Sequence, residues 1–391
     1  MEAPSADIVE LQFGAQGLGA KFWTLIAATF LAFLGIGTVL PGMALHIRHD
    51  LGGSDQTVGF VIGTFSAVAL VSRFASGPLA DKKGRKIAFL TGLASCGAAG
   101  LAYLAPLGLP GAYLGRCLQG FGEACLYTGA AAWAVEAAGI HRSGRALGFV
   151  STGIWGGISA GPVIGQFLGS FERAAALQVI AAIAAFLLLS RVEEHYEPHP
   201  GGGPRVWLPK SLILPGLAVG FTNVQYPVVA GFLILHLAQH GGGGPAGFSA
   251  YALMVLLSRF FLGGLPDRLR PEITYYGGLG AMALGTAIIA FTTGPVLSIV
   301  GAATLGLGFS FPWASVATTV LKRTPAHQRG SAVGVLSAFY DLFVGASSFL
   351  AGTLADHFGY RSAFLLALGG VVVAAMFGKP VFASRASHHA K

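Results

Sequence analysis

Five charged side chains stand inside long apolar runs: Arg73, Arg116, Glu123, Arg259 and Asp341. A charge at the centre of a lipid bilayer costs at least about 2.5 kcal/mol on insertion scales, so each is a functional candidate by default. Arg116, Gln119, Glu123 and Tyr127 recur at intervals of three and four, which places them on one face of a helix. An acid in low dielectric beside a movable cation can take up and release a proton as its surroundings change. Glu123 is therefore a candidate proton carrier; the alternative is a permanent brace, ion-paired or hydrogen-bonded within its bundle. Asp341 lies roughly 15 Å and Arg73 roughly 12 Å from the same end of their runs, at about 1.5 Å per residue. Such a pair would hold one conformation and release in another, with Asp341 serving either as a structural bridge or as a second proton-coupling group. Three arginines against two acids leave Arg259 without an acid at matching depth on the fifth apolar run. An anionic group on a substrate would balance it, as would Glu123 or the backbone carbonyls at a broken helix end.

The elements that must position these residues are membrane helices. Of the 391 residues, 54% are hydrophobic and only 10% charged, far below the roughly 25% charged residues of soluble domains. A span needs about 20 apolar residues. Twelve runs qualify, over 22–45, 57–80, 86–106, 110–135, 144–168, 173–190, 210–236, 247–266, 273–293, 295–321, 331–355 and 362–378. The net charge of +8 does not point to nucleic acid, because the basic residues collect in alternate loops. Of the 24 Lys and Arg, Arg48, Arg173 and Arg361 fall on one side, Arg73, Arg116 and Arg259 lie within spans, and the others fall on the second side. The positive-inside rule makes that second side cytoplasmic and puts both termini there. The opening segment lacks the basic start and short apolar core of a cleaved signal. Cys96, Cys117 and Cys125 all lie in spans and read as small buried side chains, not as a disulfide framework.

The chain repeats itself. "SRFASGPLADKKGRK" from Ser72 and "SRFFLGGLPDRLRPE" from Ser258 stand 186 residues apart, and the offset persists from Pro41 with Pro227 to Ser151 with Ser337. Between the halves, "SRVEEHYEPHPGGGPRVWLPK" carries the charge, proline and glycine of a linker. The expected organisation is an N-terminal segment 1–21, a six-helix bundle 22–190, a linker 191–209, a second six-helix bundle 210–378 and a tail 379–391. Parallel six-helix repeats are a transporter plan, with the substrate site near the midplane between the halves.

"GPLADKKGRK" (Gly77 to Lys86) resembles the loop signature of the major facilitator superfamily between helices 2 and 3. "RCLQGFGEA" (Arg116 to Ala124) is similar to the helix-4 motif of that family, and "GGISAGPVIGQ" (Gly156 to Gln166) to the helix-5 motif of its drug:proton antiporter branch. Over the entire chain the resemblance is to bacterial twelve-helix efflux permeases, including arabinose-efflux-like members. It implies an all-α membrane protein of twelve transmembrane helices in two pseudo-symmetric bundles, in the bacterial cytoplasmic (inner) membrane. It also implies a cytoplasmic latch in which Gly77, Asp81 and Arg85, with the membrane-buried Arg73, work against the start of helix 11. Asp267 is the quasi-symmetric partner of Asp81, facing the start of helix 5 near Gly144; Pro271 stands where Arg85 stands in the first copy. Gly157, Gly161, Pro162 and Gly165 are the helix-5 motif, expected to give close contact with helix 8 and a local bend.

The first span carries no acid, unlike that of many drug:proton antiporters, which leaves Glu123 and Asp341 as the proton-coupling candidates. Arg116, Gln119, Tyr127, Asn223, Gln225, Tyr226, Arg259 and Tyr340 are the candidate substrate-binding residues, with Trp155, Phe311 and Trp313 as further aromatics for the same cavity. His46 and His49 end the first span and His236 and His240 the seventh, which would bring four imidazoles together outside; no metal site is assigned to them. His388 and His389 read as a solvated tail. No HExxH, GxSxG or GxxxxGK[ST] sequence supplies a reacting centre, and no cofactor is expected. The reading is a monomeric secondary transporter, a proton-coupled exporter of a small amphiphilic or metabolite-like compound by antiport. The alternatives are a facilitator or importer of an organic anion using the buried arginines, and a non-transporting receptor.

Overall fold

Twelve long helical segments account for nearly all of the described residues, which in this computed structural model are 19–138, 143–194, 209–239, 243–325 and 329–383. They are α1 (Ala20–Asp50), α2 (Asp55–Lys83), α3 (Arg85–Leu104), α4 (Leu109–Ala138), α5 (Ser143–Leu168), α6 (Phe171–Ser190), α7 (Lys210–Gln239), α8 (Gly244–Leu262), α9 (Pro271–Phe291), α10 (Pro295–Arg323), α11 (Arg329–Phe358) and α12 (Tyr360–Ala383). Eleven are long and apolar enough to cross a membrane. The twelfth, α4, is among the longest but carries Arg116, Gln119 and Glu123, which lower its hydropathy. The duplication is visible in the helix starts: Arg85 and Pro271, Leu109 and Pro295, Ser143 and Arg329 each stand 186 residues apart. Pro271 takes the first position of α9, where its missing N–H would have had no helical partner.

Proline also marks the interruptions. Pro41 cannot donate to the carbonyl four residues back, and α1 breaks between Thr38 and Leu40 before ending in a π-helical turn, His46–Asp50. Its counterpart Pro227 breaks α7 at Val224, and Pro312 breaks α10 at Ser310. Leu126 occupies the matching place in α4, which runs unbroken. Capping sets two of the helix starts: the hydroxyls of Ser54 and Ser170 accept from the Thr57 and Arg173 N–H groups at 3.1 and 3.2 Å.

Each half is a bundle. α1 packs on α5 and α6, α3 on α4 and α6, and α2 on α4, while in the second half α10 packs on α8 and α9, and α12 on α7 and α9. The halves meet along α2 with α11, α5 with α8, and α1 with α7. One end of this junction is closed. The Gly59 carbonyl accepts from the Ser348 hydroxyl at 2.8 Å, Gln56 reaches Thr353 at 3.4 Å, and the Tyr360 hydroxyl donates to Asp55 at 3.0 Å. Toward the other end, Gly148 of α5 and Gly334 of α11 have no heavy atom within 4 Å of where a Cβ would stand.

Several helix ends differ from expectation by a few residues, two of them for a visible reason. α12 continues past residue 378 to Ala383, because Phe382 is buried against Tyr275 with ring centroids 5.2 Å apart. α8 stops at Leu262, short of 266, where Gly263 and Gly264 interrupt the chain before a single helical turn, Leu265–Arg268. Most of the linker, the first 18 residues, His141, His240, His327, His388 and His389 lie outside the described residues. Cys96 and Cys125 are buried and Cys117 half-buried, all as free thiols.

Candidate functional site

α2, α4 and α11 each bring one charge to the middle of the junction. Glu123 is midway along α4, about 21 Å from its Leu109 end at 1.5 Å per residue, and Arg73 and Asp341 stand at neighbouring depth on α2 and α11. The Arg73 guanidinium bridges the halves: Nε and Nη2 both lie 2.7 Å from Oδ2 of Asp341, which is 3% exposed. Its Nη2 also faces Oε2 of Glu123 at 3.7 Å, with no hydrogen bond reaching that oxygen. Arg73 lies over the Tyr127 ring at 5.0 Å, and the Tyr127 hydroxyl accepts from Ser337 at 3.3 Å, a second tie between α4 and α11. One cation between two carboxylates leaves one surplus negative charge, which a single proton neutralises. Of the two acids, Glu123 is the more loosely held.

These groups line a chamber together with Phe65, Trp155 and Tyr226. A second, smaller cavity shares Leu40, Trp155, Ile158 and Tyr226 with it and reaches Arg259, Tyr251 and Phe309. The walls are mostly apolar, with a few converging polar groups, the usual composition of a small-molecule site. Aromatic rings dominate: Tyr340 packs against Trp155 at 6.0 Å and Tyr226 at 6.3 Å, and Tyr226 stacks on Phe309 at 6.3 Å. The Arg259 guanidinium lies 4.4 Å over Trp155, and its Nε is buried without a hydrogen-bond partner.

The structure thus brings Arg73, Glu123, Tyr127, Tyr226, Tyr340 and Asp341 to one chamber and Arg259 to the adjoining cavity, and sets other candidates apart. Arg116, 2% exposed, and Gln119, fully buried, share a helix face with Glu123 but lie nearer the closed end, where α1, α2 and α6 cover them. Arg116 donates to Gln119 at 2.6 Å and to the Ile62 carbonyl at 3.2 Å; Gln119 donates to Gln178 at 3.0 Å and accepts from Tyr103 at 3.2 Å. That network ties α4 to α2, α3 and α6. Asn223 donates within its own helix to the Val219 carbonyl, and Gln225 accepts from Thr286 of α9 inside the second bundle. Gly157, Gly161 and Gly165 face α1, not α8: a Cβ on Gly157 would stand 2.5 Å from the Phe30 carbonyl oxygen, and one on Gly161 2.6 Å from that of Leu34. Contact with α8 falls instead to other residues of α5, among them Trp155, which meets Arg259.

At the loop signature, Arg85 pairs with Glu136 of α4. Glu194, just past α6, accepts from the backbone N–H groups of Arg85 and Lys86 at 2.7 and 3.0 Å, a carboxylate cap on α3. Gly84 admits it with φ of 104°. Gly77 is half-buried and Asp81 lies exposed near the end of α2; the side chain of Asp267 lies outside the described residues. The four histidines do not form one cluster among the described residues. His46 pairs with Asp50 at 2.8 Å and stacks on Phe171, close to Glu172, whereas buried His236 contacts the Ile289 carbonyl within the second bundle.

Ser337, Tyr251 and Phe309 join the site without having been singled out from sequence. Each is an ordinary residue in an apolar run; for Ser337 the one available sign is its position four residues before Asp341, on the same helix face.

A family model described as Major Facilitator Superfamily matches residues 25–348 and 247–389. An uncharacterized MFS-type transporter of Salmonella typhimurium is 29% identical over 367 residues, covering 89% of this chain and 94% of that protein. A second, of Burkholderia mallei, is 28% identical over 389 residues, covering 94% and 93%. Among solved structures, the nucleoside transporter NupG superposes with TM-score 0.73 at 15% identity, over 93% of this chain and 100% of that one. A D-xylose-proton symporter superposes with TM-score 0.75 at 15% identity, over 91% and 96%. At that identity the structural matches speak for the fold alone.

Proposed function

The chain belongs to the major facilitator superfamily and is a multi-pass membrane transporter, not an enzyme; from that premise we propose that it is a proton-coupled exporter working by antiport. The observation that carries the reading is the Arg73 guanidinium held between Asp341 of the opposite half and the loosely held Glu123. When a proton occupies Glu123, Arg73 is left to Asp341 and the halves stay joined. When the proton leaves, Glu123 competes for Arg73 and weakens the bridge that spans the junction. Proton occupancy is thereby linked to the contact that must change as the halves rock. Protons are named in the description of a symporter of the same fold, so the scaffold is compatible with this coupling.

Orientation is read from charge placement. With the basic loops cytoplasmic, the closed end made by Gly59, Ser348, Asp55 and Tyr360 is periplasmic, and the space beside Gly148 and Gly334 opens to the cytoplasm. In an exporter this is the state that takes up cargo. The residues facing the chamber and the adjoining cavity, Tyr127, Tyr226, Arg259 and Tyr340, are the substrate contacts, while Arg116, Gln119, Asn223 and Gln225 hold the bundles around them. The latch of Gly77, Asp81 and Arg85 with Asp267, and the location in an inner membrane with both termini inside, belong to the same proposal.

The test is transport in proteoliposomes under an imposed pH gradient, comparing wild type with Glu123→Gln across cationic, neutral and anionic amphiphiles. Gradient-driven accumulation, lost in the variant while downhill exchange continues, is the expected result. Flux indifferent to the gradient and intact in the variant would overturn proton antiport through Glu123.

A further inference from the structure

The internal repeat lets the two buried arginines be compared position by position. At the offset of 186, Arg73 corresponds to Arg259, Glu123 to Phe309, and Asp341 to Trp155. The fold has built the same cradle twice, an arginine facing one helix of its own half and one helix of the other. In the first copy both facing positions are carboxylates, and Arg73 meets them at 2.7 and 3.7 Å. In the second copy both are aromatic. Arg259 lies 4.4 Å over the Trp155 ring and shares its cavity with Phe309, Tyr226 and Tyr251. Among the described residues no carboxylate forms an ion pair with Arg259, and its Nε is buried with no hydrogen-bond partner.

A guanidinium stays charged in a protein, and a donor of that charged group buried without a hydrogen-bond partner, as the Arg259 Nε is, is costly for a fold to keep. The ring face of Trp155 offsets part of that cost but accepts no N–H bond in the guanidinium plane. The cavity beside Arg259 shares walls with the chamber of the first triad, and its Tyr, Trp and Phe residues supply flat apolar faces. We propose that Arg259 is the substrate-charge site: the cargo is an amphiphilic monoanion whose carboxylate takes the place that Asp341 and Glu123 occupy around Arg73. Its apolar body lies against Trp155, Tyr226 and Phe309. The cargo completes the second triad, just as the protein completes the first. This rests on the chamber being the transport site, and is independent of whether protons drive the cycle.

The test is equilibrium binding to the full-length protein in detergent, with no gradient, using benzoate, indole-3-acetate and decanoate, each against its carboxamide. The wild type is expected to prefer at least one carboxylate over its amide by at least about tenfold, the scale of one charge-assisted hydrogen bond. Arg259→Gln should abolish the preference and Arg259→Lys retain part of it. Trp155→Asp, which restores the carboxylate found at the matching position of the first triad, should satisfy Arg259 internally and remove the preference even where Arg259→Gln fails to fold. No preference in wild type, or a preference unchanged in Arg259→Gln or Trp155→Asp, would overturn the proposal. A failure of gradient-driven transport with the carboxylate preference intact would instead remove proton coupling and leave this site standing.

Discussion

Arg73 treats its two carboxylates unequally, and that inequality predicts how substitutions will behave. Asp341 accepts two N–H groups at 2.7 Å and is nearly sealed from solvent. Removing one partner of a buried pair leaves the other uncompensated, at roughly 3–5 kcal/mol. Asp341→Asn should therefore lower the thermal unfolding midpoint in detergent markedly, whereas Glu123→Gln, at 3.7 Å from Arg73, should change it little. Exchanging the pair, Arg73→Asp with Asp341→Arg, should recover a good part of the loss; a double variant no better than the worse single would argue against direct pairing. The five buried charges were legible because hydropathy isolates them. Which acid Arg73 holds closely was not, because a difference of 1 Å across two helices depends on how the bundles are rotated.

At the scale of the helix, glycine decides how closely α5 can approach α1. A Cβ on Gly161 would meet the Leu34 carbonyl oxygen at 2.6 Å and Gly37 at 2.7 Å, backbone that cannot swing aside. Gly161→Ala should cost about 1–3 kcal/mol by overpacking. Gly280 of α9 has nothing within 4 Å, and Gly280→Ala should be neutral or stabilising by up to about 1 kcal/mol through helix propensity. Thermal melts of the two variants side by side check both signs; equal effects would mean that close approach of α5 to α1 is not required. The glycine spacing announced close packing but not its partner. A row of small residues fits any neighbouring backbone, and only the bundle's topology put α1 there while α8 met Trp155. Glu194 makes the same point, since a residue in a linker-like stretch turned out to cap α3 through two backbone N–H groups.

For the molecule as a whole, the closed end of the junction must open once per cycle if the halves rock. Gln56 and Thr353 face each other across it at 3.4 Å. With Cys96, Cys117 and Cys125 replaced, a Gln56→Cys, Thr353→Cys protein should cross-link readily with a short bifunctional thiol reagent, and its transport should fall to background. A reducible reagent should allow recovery. Full cross-linking with undiminished flux would show that this seal does not open.

The sequence by itself determined the membrane spans, the duplication and the buried charges, because hydropathy, repeat register and the cost of a charge in lipid are properties of local composition and chain order. Tertiary structure alone decided that Arg116 and Gln119 turn into a network within the first bundle while Glu123 and Tyr127, on the same helix face, turn to the chamber. It alone closed the halves at the Gly59 end and laid Arg259 on Trp155. These outcomes arise from many weak contacts between helices far apart in the chain, summed over two bundles whose relative placement no local stretch encodes.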